Sequence, residues 1–145
     1  MKKKKSTKSK KKGKHVVVVR GKRKESIARA CVSEGKGSIR VNRFPVEALD
    51  QRYVKRLIME PILLAGPVCN GLNIDVSVRG GGVMGQAQAA RLAIARGIVA
   101  FTGDESLKKK FEAYDRHLMV EDFRRVEPKK YKGPKARARF QKSYR

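Results

Sequence analysis

The chain has 145 residues and a formal net charge of +24, because 37 lysines and arginines stand against 13 aspartates and glutamates. The ends carry the surplus: residues 1–24 contain 13 basic residues and residues 128–145 contain 8, with no acidic residue in either. Such a charge favours a polyanionic partner, nucleic acid before an anionic membrane surface. No apolar run approaches the ~18 residues of a membrane-spanning helix, and no signal peptide is expected. With two histidines, and with Cys31 and Cys69 far apart, we expect no metal or cofactor and two reduced cysteines.

Composition divides the chain into three segments. Residues 1–14 contain no large apolar residue after the initial Met, and we expect them to form a disordered, nonspecific basic arm. Residues 15–127 have nearly balanced charge and apolar periodicity, and we expect them to fold as one globular RNA-binding body. Residues 128–145 lack a core of their own, and we expect them to form an extended basic C-terminal tail.

The beginning of the body predicts three short strands. A β-branched run at 16–19 predicts the first strand, and residues 20–24 are expected to form a basic turn. Residues 26–32 predict a second strand, with alanines and a valine alternating against bulkier or polar residues. Residues 38–41 predict a third.

The rest of the body mixes helices with one clear strand. A helix is predicted over about 45–60, with Pro61 expected to end or kink it. Strict alternation over 72–79 predicts a half-buried strand. A second helix is predicted over about 86–101, and Thr102 resembles the cap of a short final helix. These elements indicate an α+β fold.

Gly80, Gly82 and Gly85 match the G-x-G-x-x-G pattern of dinucleotide-binding turns. We reject a nicotinamide or flavin site, because Asp104 follows the helix directly and no second strand precedes it. A glycine-rich turn before a helix still leaves backbone N–H groups open to a phosphate, including one in RNA, with Arg79 at its edge. The alternative is that the glycines only make a tight turn.

The C-terminal tail alternates basic residues with Tyr131, Phe140 and Tyr144. Cations can neutralise phosphates, while aromatic rings can stack on exposed bases. The serines and histidines form no nucleophile–base pattern, so no enzymatic activity is expected. A DNA-compacting architectural protein is the main rival to an RNA-binding protein, because it shares the charge.

Four stretches resemble the universal small-subunit ribosomal protein nine family, whose eukaryotic counterpart is numbered sixteen. The stretches are GKRKESIARA at 21–30, GSIRVN at 37–42, VRGGGVMGQ at 78–86 and KARARFQKSYR at 135–145. The ending Lys-Ser-Tyr-Arg and the sequence Tyr-Asp-Arg at 114–116 are similar to archaeal and eukaryotic members, and the short middle is most similar to archaeal ones.

The resemblance implies a four-stranded sheet packed by helices on one side, with a left-handed β-α-β crossover and extended basic arms. It implies a structural constituent of the cytoplasmic small ribosomal subunit, which binds ribosomal RNA in the subunit head beside neighbouring head proteins. It also implies that the tail reaches peptidyl-site transfer RNA, with Arg145 in the place of the family's terminal basic residue. Tyr144 stands where bacterial members usually have Lys.

The predicted RNA-binding residues fall into three groups. The basic turn contributes Arg20, Lys22, Arg23 and Lys24; the glycine turn contributes Arg79, Gly80, Gly81, Gly82, Gly85 and Gln86; the tail contributes Lys129, Lys130, Lys132, Lys135, Arg137, Arg139 and Lys142. Tyr144 and Arg145 are predicted to contact transfer RNA.

Overall fold

The computed structural model describes residues 15–143. This part of the chain forms five strands and three α-helices, with short 3-10 turns between them. The strands are β1 Val16–Arg23, β2 Ser26–Glu34, β3 Ile39–Val41, β4 Phe44–Pro45 and β5 Leu72–Arg79. The helices are α1 Arg52–Ala65, α2 Val83–Thr102 and α3 Glu105–Tyr114.

The strands form one mixed sheet in the order β1-β2-β5-β3-β4. Strand β5 pairs antiparallel with β2 and parallel with β3, and α1 lies between β3 and β5 in the chain, which makes a β-α-β unit. The expected count of four strands is corrected to five, because Asn42 and Arg43 turn the chain so that β4 pairs back on β3. The hand of the β-α-β connection stays a prediction.

One face of the sheet is covered by helices. Ala28, Ala30 and Val32 of β2 are fully buried and form one side of the predicted alternation. Helix α2 packs on β1 and β2 at close range, since a Cβ on Gly21 would overlap the backbone of Ala89. Helices α1 and α3 pack against α2. The alternate residues of β2 and β5 are mostly exposed, so the other face of the sheet is open.

Helix α1 differs from its prediction at both ends. It begins at Arg52, because the chain before it is used by β4 and by a 3-10 turn at Val46–Ala48. It also continues through Pro61 to Ala65. The missing N–H of the proline removes one helical hydrogen bond, but the last turn buries apolar side chains in the core, which more than offsets that loss. Gly66, with a φ of 64°, is the C-cap that ends the helix.

The cap of α3 is Asp104 rather than Thr102. Thr102 ends α2, and its hydroxyl donates back to the carbonyl oxygen of Ile98 at 2.9 Å. Asp104 accepts the Ser106 backbone N–H at 2.9 Å, and hydrogen bonds from the Ser106 side chain and backbone lower the pKa of Asp104. Capping of α3 explains the acid at position 104, which in a dinucleotide site would bind the ribose. This agrees with the rejection of a dinucleotide site.

A partly buried ion triad joins the helices. The Arg91 guanidinium on α2 lies 2.6 Å from a Glu60 carboxylate oxygen on α1 and 2.6 Å from an Asp115 oxygen just beyond α3. Burial alone would raise the pKa of Asp115, but hydrogen bonds from the His117 N–H and from Arg91 outweigh it and hold that pKa below its usual range. The triad therefore fixes the helical layer.

Candidate nucleic-acid interface

The strand register places several cationic side chains on the open face. Arg20 of β1 lies opposite Arg29 of β2, and Lys22 lies opposite Ile27, which in turn lies opposite Arg79 of β5. Residues directly opposite on neighbouring strands point to the same side of a sheet. The open face therefore combines two regions that the sequence predicted separately, the basic stretch before residue 24 and the edge of the glycine turn.

A groove of about 720 Å³ runs across this open face. Four exposed arginines from β2, β3, β5 and the β3–β4 turn line it, with Asp75 as the acid among its lining residues. Its complete lining is Val18, Arg29, Cys31, Arg40, Asn42, Arg43, Asp75, Val76, Ser77, Val78 and Arg79. The groove is larger than the cleft of about 330 Å³ beside Glu25 and Arg79, and it is positioned by the strands beneath it.

The predicted basic turn is mostly strand. Strand β1 continues to Arg23, because its register with β2 runs as far as the pair Arg23–Ser26. Arg20 remains 65% exposed, whereas Arg23 forms an ion pair with the buried Asp122. Burial first, and the nearby charge of Arg124 second, lower the pKa of Arg23. Arg23 therefore anchors the segment after α3.

The remaining member of that stretch, Lys24, is exposed at the turn with a φ of 52°. Arg96 adds a second anchor for the segment after α3, because it lies 3.2 Å from Glu121 and donates to the Met119 carbonyl oxygen at 2.8 Å. Acidic residues from this segment thus neutralise some of the cations at the β1 edge.

The glycine turn has clear steric reasons for two of its glycines. Gly80 and Gly81 have φ values of 75° and 67°, in the left-handed region. A Cβ on Gly81 would overlap the hydroxyl of Ser26, which donates to the Gly80 carbonyl oxygen at 2.9 Å. Gly82 lies in open space and precedes the first turn of α2. The tight-turn explanation therefore accounts for Gly80 and Gly81, while Gly82 leaves the helix N-terminus accessible.

Helix α2 begins three residues earlier than predicted, so Gly85 and Gln86 belong to its first turn and not to the loop. A Cβ on Gly85 would come within 2.7 Å of the Ser26 hydroxyl. The Gln86 side-chain amide donates to the Gly80 carbonyl oxygen at 3.2 Å. These two residues shape the turn, whereas Arg79 stays exposed at its edge.

The C-terminal tail is not extended throughout its described part, because residues 131–132 form a turn and residues 133–137 form bends. The Glu127 carboxylate lies 2.7 Å from Lys130 and 2.9 Å from Arg137, and hydrogen bonds from these two side chains lower the pKa of Glu127. Pairing with one acid folds the beginning of the tail onto itself.

The tail brings its basic and aromatic residues together in clefts. One cleft is lined by Lys129, Lys130, Tyr131, Lys132, Gly133, Arg139, Phe140, Gln141 and Lys142. Tyr131 is 91% exposed, and the Lys132 ammonium lies 5.7 Å from the centre of its ring. Lys135 and Arg137 line the adjoining cleft. Tyr144 and Arg145 lie outside the described residues.

Three cations of the groove were not predicted: Arg29, Arg40 and Arg43. The first two had a usable signal, because Arg29 stands between two buried alanines and Arg40 between two apolar residues of a short strand. Arg43 had none, since its position depends on the β3–β4 turn.

Within residues 15–143, no helix is long and apolar enough to cross a membrane. The same part of the chain contains no group of three or more His, Cys, Asp or Glu side chains arranged to hold a metal ion. Both cysteines are free thiols. Cys69 is buried, which raises its pKa, whereas Cys31 lines the groove.

The family described as ribosomal protein S9/S16 matches residues 21–145. This chain belongs to that family. It is 50% identical over 130 residues to the small ribosomal subunit protein uS9 of Methanothrix thermoacetophila, with 90% of this chain and 98% of the relative covered. It is 48% identical over 134 residues, with the same coverage, to the proteins of that name from Methanococcus vannielii and Methanococcus maripaludis. The predicted family, its archaeal type and its non-enzymatic class are confirmed.

Proposed function

We propose that this chain is a structural constituent of the cytoplasmic small ribosomal subunit, where it binds ribosomal RNA in the subunit head among neighbouring head proteins. The observation that carries the proposal is the open sheet face, on which exposed arginines from separate strands face solvent together. Relatives that match nearly along their whole length are named as small-subunit ribosomal proteins, which supports the same conclusion.

The mechanism is electrostatic and positional. Arginine guanidinium groups hold phosphate oxygens in pairs of hydrogen bonds, while the N-terminus of α2 behind Gly82 offers backbone N–H groups to a further phosphate. The tail adds cations and exposed rings for unstacked bases. The left-handed hand of the connection from β3 through α1 to β5 belongs to the same family-based proposal.

The finer part of the proposal concerns the end of the tail. Arg145 would contact the phosphate backbone of the anticodon stem-loop of peptidyl-site transfer RNA, with Tyr144 beside it. Subunits carrying the chain without Arg145 are then expected to lose affinity for peptidyl-site transfer RNA. An Arg145→Lys chain, which keeps the charge, is expected to retain most of it.

The test begins with sedimentation of cell extract through a sucrose gradient after a high-salt wash. The chain is expected to migrate with the small subunit at salt that removes loosely held cationic proteins. Migration with DNA or at the top of the gradient would favour the architectural, DNA-compacting alternative. Unchanged transfer RNA affinity in subunits lacking Arg145 would remove only the tail contact.

A further inference from the structure

The groove on the open face contains an arginine in an unfavourable backbone conformation. Asn42 and Arg43 form the two-residue loop that joins β3 to β4, next to the pair Val41–Phe44. Their φ values are 49° and 75°. Two-residue hairpin loops with positive φ at both positions favour Asn followed by Gly. Asn42 matches that preference, but Arg43 occupies the position where glycine is the unstrained residue.

Hydrogen bonds from Asn42 hold the loop in place, so the backbone of Arg43 has a fixed position. The Asn42 side-chain oxygen accepts the Val78 N–H at 2.8 Å, and the Asn42 N–H donates to the Val76 carbonyl oxygen at 2.8 Å. Both bonds tie the loop to β5, which forms the floor of the groove. Strain that persists in a well-anchored segment is typical of functional positions.

The four arginines of the groove form no ion pair within the described part of the chain. Among residues 15–143, the ion pairs closer than 4 Å involve other basic residues and include none of Arg29, Arg40, Arg43 and Arg79. Asp75 lies opposite Arg40 in the register but makes no such pair. Side chains on β2 and β3, with β5 between them, are about 10 Å apart, so the cations can reach more than one anion.

We infer that this groove is a binding site for the phosphate backbone of double-helical RNA, with Arg29, Arg40 and Arg43 as phosphate contacts. The inference rests on the proposed function and names the surface and the form of RNA. The groove's lining has no aromatic ring on which an unstacked base could stack, so it differs from single-strand sites. Guanidinium groups on a rigid sheet suit the fixed phosphates of a duplex.

The first experiment measures RNA affinity against salt concentration. The probes are an in vitro transcript of the head domain of small-subunit ribosomal RNA and an unrelated RNA of equal length. The groove variant is R29Q/R40Q, and the matched control is K108Q/K109Q, which removes the same charge from exposed positions on α3. With about 0.9 units of log–log slope for each duplex phosphate contact, the groove variant is expected to lose about 1.8 units of slope. The control is expected to keep the wild-type slope.

The outcomes separate the two proposals. Equal slopes for the groove variant and the control would overturn the groove assignment, even if the wild type prefers the head transcript. A wild type that binds both RNAs equally, while its groove variant still loses slope, would overturn the ribosomal proposal and leave the groove assignment standing.

Arg43→Gly gives a second readout that a purely structural role would not produce. Glycine relieves the backbone strain, so Tm is expected to rise by a few degrees while affinity for the head transcript falls severalfold. A lower Tm would contradict the strain argument, and unchanged affinity for the head transcript would show that Arg43 does not bind RNA.

Cys31 reports directly on occupancy of the groove. Its alkylation in the native chain is expected to slow at least tenfold in saturating duplex RNA, with buried Cys69 as the internal reference. An unchanged alkylation rate would overturn the inference. So would protection by single-stranded polyuridine or by polyglutamate that exceeds protection by the duplex.

Discussion

The three consecutive glycines before α2 allow a sharp test of how this turn is built, because Gly81 and Gly82 have opposite surroundings. Gly81 has a φ of 67°, and its missing Cβ faces the hydroxyl of Ser26, which is 1% exposed. Gly82 has a φ of −98°, and nothing lies within 4 Å of the place a Cβ would take. Alanine at each position is therefore a matched pair.

Gly81→Ala is expected to lower the free energy of unfolding by roughly 2–5 kcal/mol. The left-handed conformation costs an L-residue about 1–2 kcal/mol. Displacement of Ser26 also removes its 2.9 Å hydrogen bond to the Gly80 carbonyl oxygen, and a buried polar group without a partner costs about 1–3 kcal/mol. Gly82→Ala is expected to cost no more than about 1 kcal/mol, because it meets no steric obstacle and only replaces glycine by the less favourable alanine at the N-cap of α2.

Urea denaturation of the two variants and the wild type, followed by far-UV circular dichroism, measures the difference. In domains of about 60–250 residues about 1 kcal/mol corresponds to roughly 2–8 °C in Tm, so a thermal melt provides an independent check. Equal destabilisation by the two substitutions would refute the steric argument, and so would a Gly81→Ala variant as stable as the wild type.

Three further predictions concern the helical layer. Gly21→Ala is expected to lower Tm by several degrees, since its Cβ would overlap the Ala89 backbone and overpacking costs about 1–3 kcal/mol; an unchanged melt would contradict the close packing of β1 on α2. Arg91→Ala is expected to cost about 2–4 kcal/mol in urea denaturation, because it strands the carboxylates of Glu60 and Asp115. The pKa of Asp115 is lowered in the fold. The stability that its carboxylate adds to the folded state is therefore complete above the unfolded pKa of about 3.9 and is lost as pH falls below it. Asp115→Asn should therefore flatten the pH dependence of unfolding between about pH 2 and 5, and a parallel curve would contradict this.

The sequence predicted best those elements whose pattern is set by local burial. Strand β5 was predicted from end to end, because Leu72, Ile74, Val76 and Val78 alternate strictly and all lie in the core. Helix α1 was predicted less well. Its path through Pro61 depends on a core face contributed by α2, which local propensity does not contain.

The candidate site was predicted only in part, because the sequence shows local charge and motifs but not which strands pair. Arg20, Lys22 and Arg79 were proposed from charge and motif, and the register places them on one face. Arg40 joins them because β3 pairs parallel with β5, which brings together residues more than thirty positions apart. Arg43 depends on a hairpin that ends in proline, a residue that more often suggests the start of a helix.

The partners of the arginines distinguish two roles that the sequence cannot separate. Lys22 and Arg23 are neighbours in a basic stretch, yet the strand pleat sends one to the open face and the other to Asp122 on the covered side. Neutralising a paired arginine such as Arg23 leaves an acid without its partner and must appear as lost stability. Neutralising an unpaired one such as Arg29 leaves no such acid and must appear as lost affinity. The number of cations available for RNA is therefore smaller than the 37 lysines and arginines of the chain suggest, and these cations are concentrated on the open face and the arms.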